Sequence, residues 1–212
     1  MIPELSVPSP GRCATGFVVA ALALLVSPAR AEPRPTPGPD CAECAHFEAP
    51  ADLASTMWIP AAVWHGEPLV VEGTIYQADG RTPASGVLLY AYHTNPAGIY
   101  PRPAGAGGMA RWHGALRGWL RTACDGRYRI ETIRPGRYPE GNIPAHIHMT
   151  VMPEGGREYF IDDIVFADDA LVDARYRAMA RNVGGSGIVT PRKDSTRTWR
   201  VERDIVLAET PR

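Results

Sequence analysis

The sequence predicts an all-β protein: an antiparallel β-sandwich with one short helix near the C-terminus. Three observations point there. Glycine and proline number 21 each among 212 residues, together about a fifth of the chain against an average near 12%. Short runs of β-type residues recur about every 8–15 residues with turn signals between them, the spacing of a sandwich. A single stretch carries both a helix start and a helix stop. With 45% hydrophobic and 21% charged residues, the chain has the length and composition of one globular domain with a sizeable core.

The elements follow in order. Arg12, the apolar run Phe17–Val26 and the ending Ser27-Pro28-Ala29-Arg30-Ala31 read as a secretory signal peptide, 1–31, cut after Ala31. The run is shorter than the roughly 20 residues of a membrane span; an uncleaved anchor is the alternative. Cleavage implies a secreted or periplasmic protein without a membrane association. Residues 32–66 form an extended N-terminal segment carrying Cys41-Ala-Glu-Cys44. With Cys124, the mature chain has three cysteines, which permit three single pairings. A structural disulfide suits an oxidising compartment better than a redox or zinc reading of the CxxC.

The sandwich is assigned to 67–212. Its strands are Leu69–Gln77, Val87–His93, Gly118–Thr122, Arg127–Thr132, His146–Met152, Glu158–Phe166 and Trp199–Leu207. Asp125-Gly126 is a hairpin signal between the third and fourth. The helix runs from about Asp169 to Arg181, capped by Asp168 or Asp169 and stopped by Gly184-Gly185. The 22 basic and 23 acidic residues give a net charge of −1, so no surplus exists for nucleic acid. Gly105-x-Gly107-Gly108 lacks the strand–helix frame of a phosphate loop.

Chemistry concentrates in the middle of the chain, in Tyr100, Tyr138 and His146-Ile147-His148. Residues two apart on a strand share a face. His146 and His148 therefore project together while Ile147 turns to the opposite side, which makes a two-imidazole platform for a metal.

At these residues the sequence resembles the intradiol ring-cleavage dioxygenases, including protocatechuate and catechol dioxygenases. Pro144-Ala145-His146-Ile147-His148 matches their Arg-Pro-x-His-x-His motif except at the arginine. Tyr92-His93-Thr94-Asn95-Pro96-Ala97-Gly98-Ile99-Tyr100 keeps the frame of their Trp-[Gln/His]-Ala-Asn-x-x-Gly-x-Tyr. Thr122–Tyr128 and Pro135-Gly136-Arg137-Tyr138-Pro139 supply the remaining two motifs in the same order. The CxxC start and the segment Tyr159–Asp163 are most similar to the secreted branch of the group.

The resemblance implies a sandwich of the intradiol dioxygenase or transthyretin-like type, with an Fe³⁺ ion ligated by Tyr100, Tyr138, His146 and His148. It implies a small aromatic diol and O₂ as substrates, no organic cofactor, and assembly with like subunits as in many members. Tyr138 would be the displaced ligand that accepts a proton. Hard phenolate oxygens favour a trivalent ion, and contact with such an ion deprotonates a tyrosine. Two phenolates and a hydroxide balance three positive charges, and a catechol dianion can replace the hydroxide and one tyrosinate at equal charge. Two alternatives stand beside this: a non-catalytic transthyretin-like binding module, and the same site loaded with zinc or copper.

The match fails at Ile143, which stands where the family's arginine stabilises negative charge on the substrate. Arg102, Arg117 and Arg137 are substitutes by proximity, and Ile143, His113 and Arg117 are candidates for the substrate pocket. His93 and His113 could support the ligands or be ordinary hydrogen-bonded histidines. Asp162, Asp163, Asp168, Asp169 and Asp173 fit no calcium loop, and a solvated helix start accounts for the last three. Trp112 and Trp119 could line a pocket or pack in the core; Tyr76, Tyr90 and Tyr128 fall on strands as core or sheet-face residues.

Overall fold

The computed structural model describes residues 44–60 and 65–209. The signal peptide, Cys13 and Cys41 lie outside the described residues. The strands begin with β1 (Thr56–Trp58), β2 (Pro68–Tyr76), β3 (Leu88–His93), β4 (Arg117–Arg121), β5 (Arg127–Ile133) and β6 (His146–Met152). They continue with β7 (Tyr159–Phe160), β8 (Ile164–Phe166), β9 (Ile188–Val189), β10 (Arg192–Lys193), β11 (Trp199–Glu202) and β12 (Ile205–Val206). A 3-10 turn (Ala45–Glu48) and two short helices, α1 (Gly108–His113) and α2 (Ala174–Ala178), complete the set.

Two six-stranded sheets face each other, one ordered β1-β5-β2-β11-β10 with β12 also on β2, the other β4-β3-β6-β8-β9 with β7 also on β6. The all-β sandwich is therefore as expected, but its sheets are mixed rather than wholly antiparallel. β1–β5, β2–β11, β2–β12 and β8–β9 pair in parallel. Each of these pairs is joined by the long connection that parallel pairing requires.

Side-chain alternation builds the core. Val71 and Ile75 of β2, Leu89 and Ala91 of β3, Ile130 of β5, and Ile147, Met149 and Val151 of β6 are fully buried between the sheets. Each large apolar side chain so placed contributes about 1.5–3 kcal/mol. β3 is buried on both faces, because its outer residues Tyr90 and Tyr92 are covered by Ala45 and Met109.

Several expectations are corrected. The sandwich does not begin at residue 67, since β1 extends the first sheet through β5. Asp125-Gly126 turns the chain as expected, with Gly126 at φ +72°, but makes no hairpin. β4 pairs with β3 in one sheet and β5 with β2 in the other. The Thr122 hydroxyl donates to the Ala84 carbonyl and accepts from Val87 N–H, which draws the chain away from β5. The strand 199–207 breaks at Arg203, whose carbonyl accepts from the Tyr128 hydroxyl and crowds Gly73, where a Cβ would lie 2.0 Å from that oxygen. The strand 158–166 likewise splits into β7 and β8.

The helix expected from Asp169 to Arg181 shrinks to α2. Its cap is Asp173, whose carboxylate accepts from Tyr176 N–H. The Asp169 carboxylate takes Leu171 N–H at one end, and Asp162 takes Asn182 and Val183 N–H at the other, so those amides are unavailable to the helix. Helix α1 was not expected; its Met109 N–H is held by Glu48, 61 residues away.

His93 joins the sheets. Its Nδ1 donates to the Thr94 carbonyl, so Nε2 accepts from the Thr132 hydroxyl at 2.7 Å. Burial pushes it down to about 4, so the unfolded chain takes up the proton first as pH falls. Stability is thus intact above about pH 6.5 and lost toward pH 4, by roughly 3 kcal/mol for this group. His113, also pushed down to about 4 by burial, adds to the same trend. Urea unfolding at pH 7, 6, 5 and 4.5 is expected to show this fall, with a shallower slope in His93→Gln.

Candidate metal centre

Ile147 is anchored in the core, so the period of β6 sends His146 and His148 to the outer face of the second sheet. β3 presents Tyr92 beside His148 and Tyr90 beside Thr150 on that face. Tyr100 arrives from the loop after β3. The Asn95 side-chain oxygen accepts from Ala97 and Ile99 N–H, and Gly98, at φ +77°, lets the loop press on the Arg137 carbonyl. Tyr138 comes from the segment between β5 and β6.

The four polar tips converge. Tyr100 Oη lies 2.6 Å from Tyr138 Oη. Tyr138 Oη lies 3.1 Å from His146 Nε2 and 3.3 Å from His148 Nε2, and the two Nε2 atoms are 3.0 Å apart. All four sequence-derived ligands are therefore brought together.

Hydrogen-bond logic shows that this cluster suits a cation. His146 Nδ1 lies 2.7 Å from the Pro144 carbonyl, and His148 Nδ1 lies 3.0 Å from Asp163 Oδ1. A carbonyl and a carboxylate only accept, so both Nδ1 atoms carry hydrogen, and each ring in its neutral form aims a lone pair from Nε2. Those lone pairs face each other. Tyr138 has one hydroxyl proton to offer, which satisfies one imidazole and leaves the other repelled. A cation between them removes the conflict, and donors about 2.0–2.1 Å from one ion lie about 3 Å apart. Ligating histidines characteristically donate their other N–H to a carbonyl or carboxylate.

Burial shapes the charges. It lowers His146, reinforced by His148, and so keeps the ring neutral. It raises Tyr100, and the Tyr138 hydroxyl raises it further. Tyr138 is raised mainly by burial, against the hydrogen bond from Tyr100. Both phenols are thus strong bases once deprotonated, and a contacting cation reverses their preference.

In the sequence Asp163 is one of several acidic residues without a distinguishing pattern. Among the described residues it joins His146 and His148 as a group whose ligand atoms lie within 4.8 Å of one another. Its oxygen holds the outward nitrogen of His148, so it orients that ring rather than meeting the two Nε2 atoms. Neighbouring strands bring it there, a relation without a local sequence signal.

Tyr92 stacks on His148 at 4.6 Å between ring centroids, and on His113 at 3.7 Å and 7°. His113 bonds the Tyr90 hydroxyl through Nδ1 at 2.9 Å. It is therefore linked to His148 through Tyr92. His93 is a sheet-joining histidine. Arg117 does not substitute for the missing arginine: it pairs with Glu48 and lies over Trp119. Arg137 is bound to Asp169. Arg102 and Ile143 are exposed. Trp112 is exposed beneath Arg111, whereas Trp119 packs beside Tyr90. Asp168 pairs with Arg134.

The N-terminal segment covers the neighbouring surface. Ala45, wholly buried, accepts from Trp119 Nε1 through its carbonyl. His46 N–H donates to the buried carboxylate of Glu158, which His46 Nδ1 also meets at 2.7 Å. Glu48 holds α1 and Arg117. Cys44 and Cys124 are both disulfide-bonded.

A family model described as dioxygenase matches residues 45–207, the whole sandwich. Catechol 1,2-dioxygenase 1 of Acinetobacter lwoffii is 31% identical over 107 residues, covering 43% of this chain and 33% of that protein. The protocatechuate 3,4-dioxygenase β chain of Burkholderia cepacia is 32% identical over 121 residues, covering 52% and 51%. The chain thus spans a third to a half of these curated relatives. A solved structure, the dioxygenase domain of a dioxygenase–carbohydrate-binding fusion from Streptomyces sp. SirexAA-E, superposes with a TM-score of 0.52. It is 23% identical and covers 74% of this chain and 90% of that one, a likeness of fold. With a family match over most of its length and the same sandwich, this chain belongs to the intradiol dioxygenase family.

Proposed function

We propose that the protein is a secreted, iron(III)-dependent dioxygenase that cleaves a catechol-like aromatic between its two hydroxylated carbons. Tyr100, Tyr138, His146 and His148 are the iron ligands in this reading. The observation that carries it is the convergence of two phenol oxygens and two imidazole lone pairs, with the Nε2 atoms 3.0 Å apart. Two hard oxygens beside two nitrogens suit a trivalent ion better than zinc or copper. The names of the catechol and protocatechuate relatives support the substrate class.

Iron(III) held by these four residues would supply a Lewis acid that draws electron density from a bound diol, readying the ring for O₂. The chain's own groups do the rest. The Pro144 carbonyl and Asp163 keep the two rings in the tautomer that offers Nε2. Tyr100 is held by its Asn95-stabilised loop. Tyr138 is the ligand that leaves in this reading, as the resemblance to the family implies. Burial raises its affinity for a proton, so on release it takes one from the incoming diol. Tyr92 walls one side of His148.

Export is supported by the signal-like N-terminus and by the disulfides at Cys44 and Cys124, which an oxidising compartment preserves.

The purified chain from Glu32 is expected to bind about one iron and to show a red-brown tyrosinate-to-iron band that moves to longer wavelength with catechol. A protein that stays colourless after anaerobic Fe²⁺ loading and air oxidation would favour the binding module or another metal. Tyr100→Phe and His148→Ala should each sharply reduce bound iron. Asp163→Asn should weaken metal binding about tenfold, the lower end of the loss expected for a group that orients a ligand. Ile143→Arg should raise catechol turnover at least about tenfold by restoring charge stabilisation. A fall would show that an apolar residue is needed for the true substrate.

A further inference from the structure

Tyr138 is carried by residues 134–145, which contain no helix or strand. On the side of Tyr100, this segment is held through the backbone of Gly136. Gly136 N–H donates to the Asn95 carbonyl at 3.0 Å, and the Gly136 carbonyl accepts from the Thr94 hydroxyl at 2.8 Å. On the side of the histidines, the tie is one carboxylate. Asp169 Oδ2 accepts from Arg137 Nε at 2.9 Å and from Ala145 N–H at 3.0 Å. Its Oδ1 accepts from Arg137 Nη2 at 2.5 Å and from Leu171 N–H at 2.9 Å. The Asp169 side chain is only 6% exposed.

Arg137 immediately precedes Tyr138, and Ala145 immediately precedes His146. One buried carboxylate therefore spans the two segments that deliver these ligands. The pairing with Arg137 is bidentate, which fixes direction as well as distance. We propose that Asp169 and Arg137 form a clasp that positions the Tyr138 hydroxyl against the imidazole of His146. The clasp is a positioning device, and it rests on the reading of Tyr138 and His146 as metal ligands.

The parts of the clasp are separable. The Arg137 side chain is 42% exposed, so its removal opens no core cavity. The bonds from Ala145 and Leu171 to Asp169 remain when Arg137 is lost. Arg137→Ala therefore frees the Tyr138 segment while leaving the start of β6 tied.

The experiment is a double-mutant cycle in the full chain. Affinity for ferric iron, supplied as its nitrilotriacetate complex, and the tyrosinate-to-iron band are measured for the parent, Arg137→Ala, Tyr138→Phe and the double variant. Arg137→Ala is expected to weaken iron binding about tenfold and to alter the band. Its melting temperature should stay within about 3 °C of the parent, since the Arg137 side chain is 42% exposed and Asp169 keeps its bonds from Ala145 and Leu171. In the Tyr138→Phe background, the same change should leave affinity within twofold. Arg137→Lys, which keeps the charge without the fork, should restore affinity in part. Unchanged affinity in Arg137→Ala overturns the clasp, and so does an equal loss in both backgrounds, which marks a merely structural role. If Tyr138→Phe alone leaves iron binding unchanged, the ligand reading fails and takes the clasp with it.

Discussion

Ile147 is packed without exposure between the two sheets, and much of the site depends on that single anchored side chain. A strand alternates its faces, so seating Ile147 in the core commits His146 and His148 to the outer surface of the second sheet. A slip of one residue would bury both imidazoles in the apolar interior and expose Ile147 in their place. Met149 and Val151 repeat the constraint along β6. The apolar core is thus what holds two polar groups in register on the opposite face.

Position alone does not make a ligand. Each imidazole must also offer the correct nitrogen, and acceptors outside the cluster decide that. The Pro144 carbonyl and the Asp163 carboxylate each claim a hydrogen on Nδ1, so that two neutral rings would face lone pair to lone pair across 3.0 Å. That arrangement is unfavourable unless a positive charge lies between them. The phenols, made harder to ionise by burial, fit the same logic, since direct contact with a cation reverses their preference. Asp169 is already saturated by four donors, and Arg117 and Arg137 are already paired. The positive charge missing at Ile143 is not restored by either arginine.

The N-terminal segment is part of this architecture. Without Ala45, the outer face of β3 would expose Tyr90 and Tyr92, two large rings that instead lie buried. Glu48 reaches Met109 and Arg117, and so sets the helix that carries His113. His113 stacks on Tyr92, and Tyr92 on His148. The start of the described chain is thereby connected to the cluster of two tyrosines and two histidines through a continuous series of contacts.

The all-β class, most strand positions, the shared face of His146 and His148, and the four tyrosines and histidines that converge are legible in the residues alone. These rest on local rules, in alternation and turn chemistry, or on motifs that a short segment carries intact. Which strands pair is settled only when the chain has folded. Asp125-Gly126 specifies a turn equally well whether its strands become partners or part into separate sheets. The tertiary structure likewise shortened the helix to Ala174–Ala178, created α1 through Glu48, and gave Asp163 and Asp169 their roles. In each case a side chain distant in sequence competes for a backbone amide or a ring nitrogen. No local pattern records such a competitor, because its distance is set only when the two sheets close on their core.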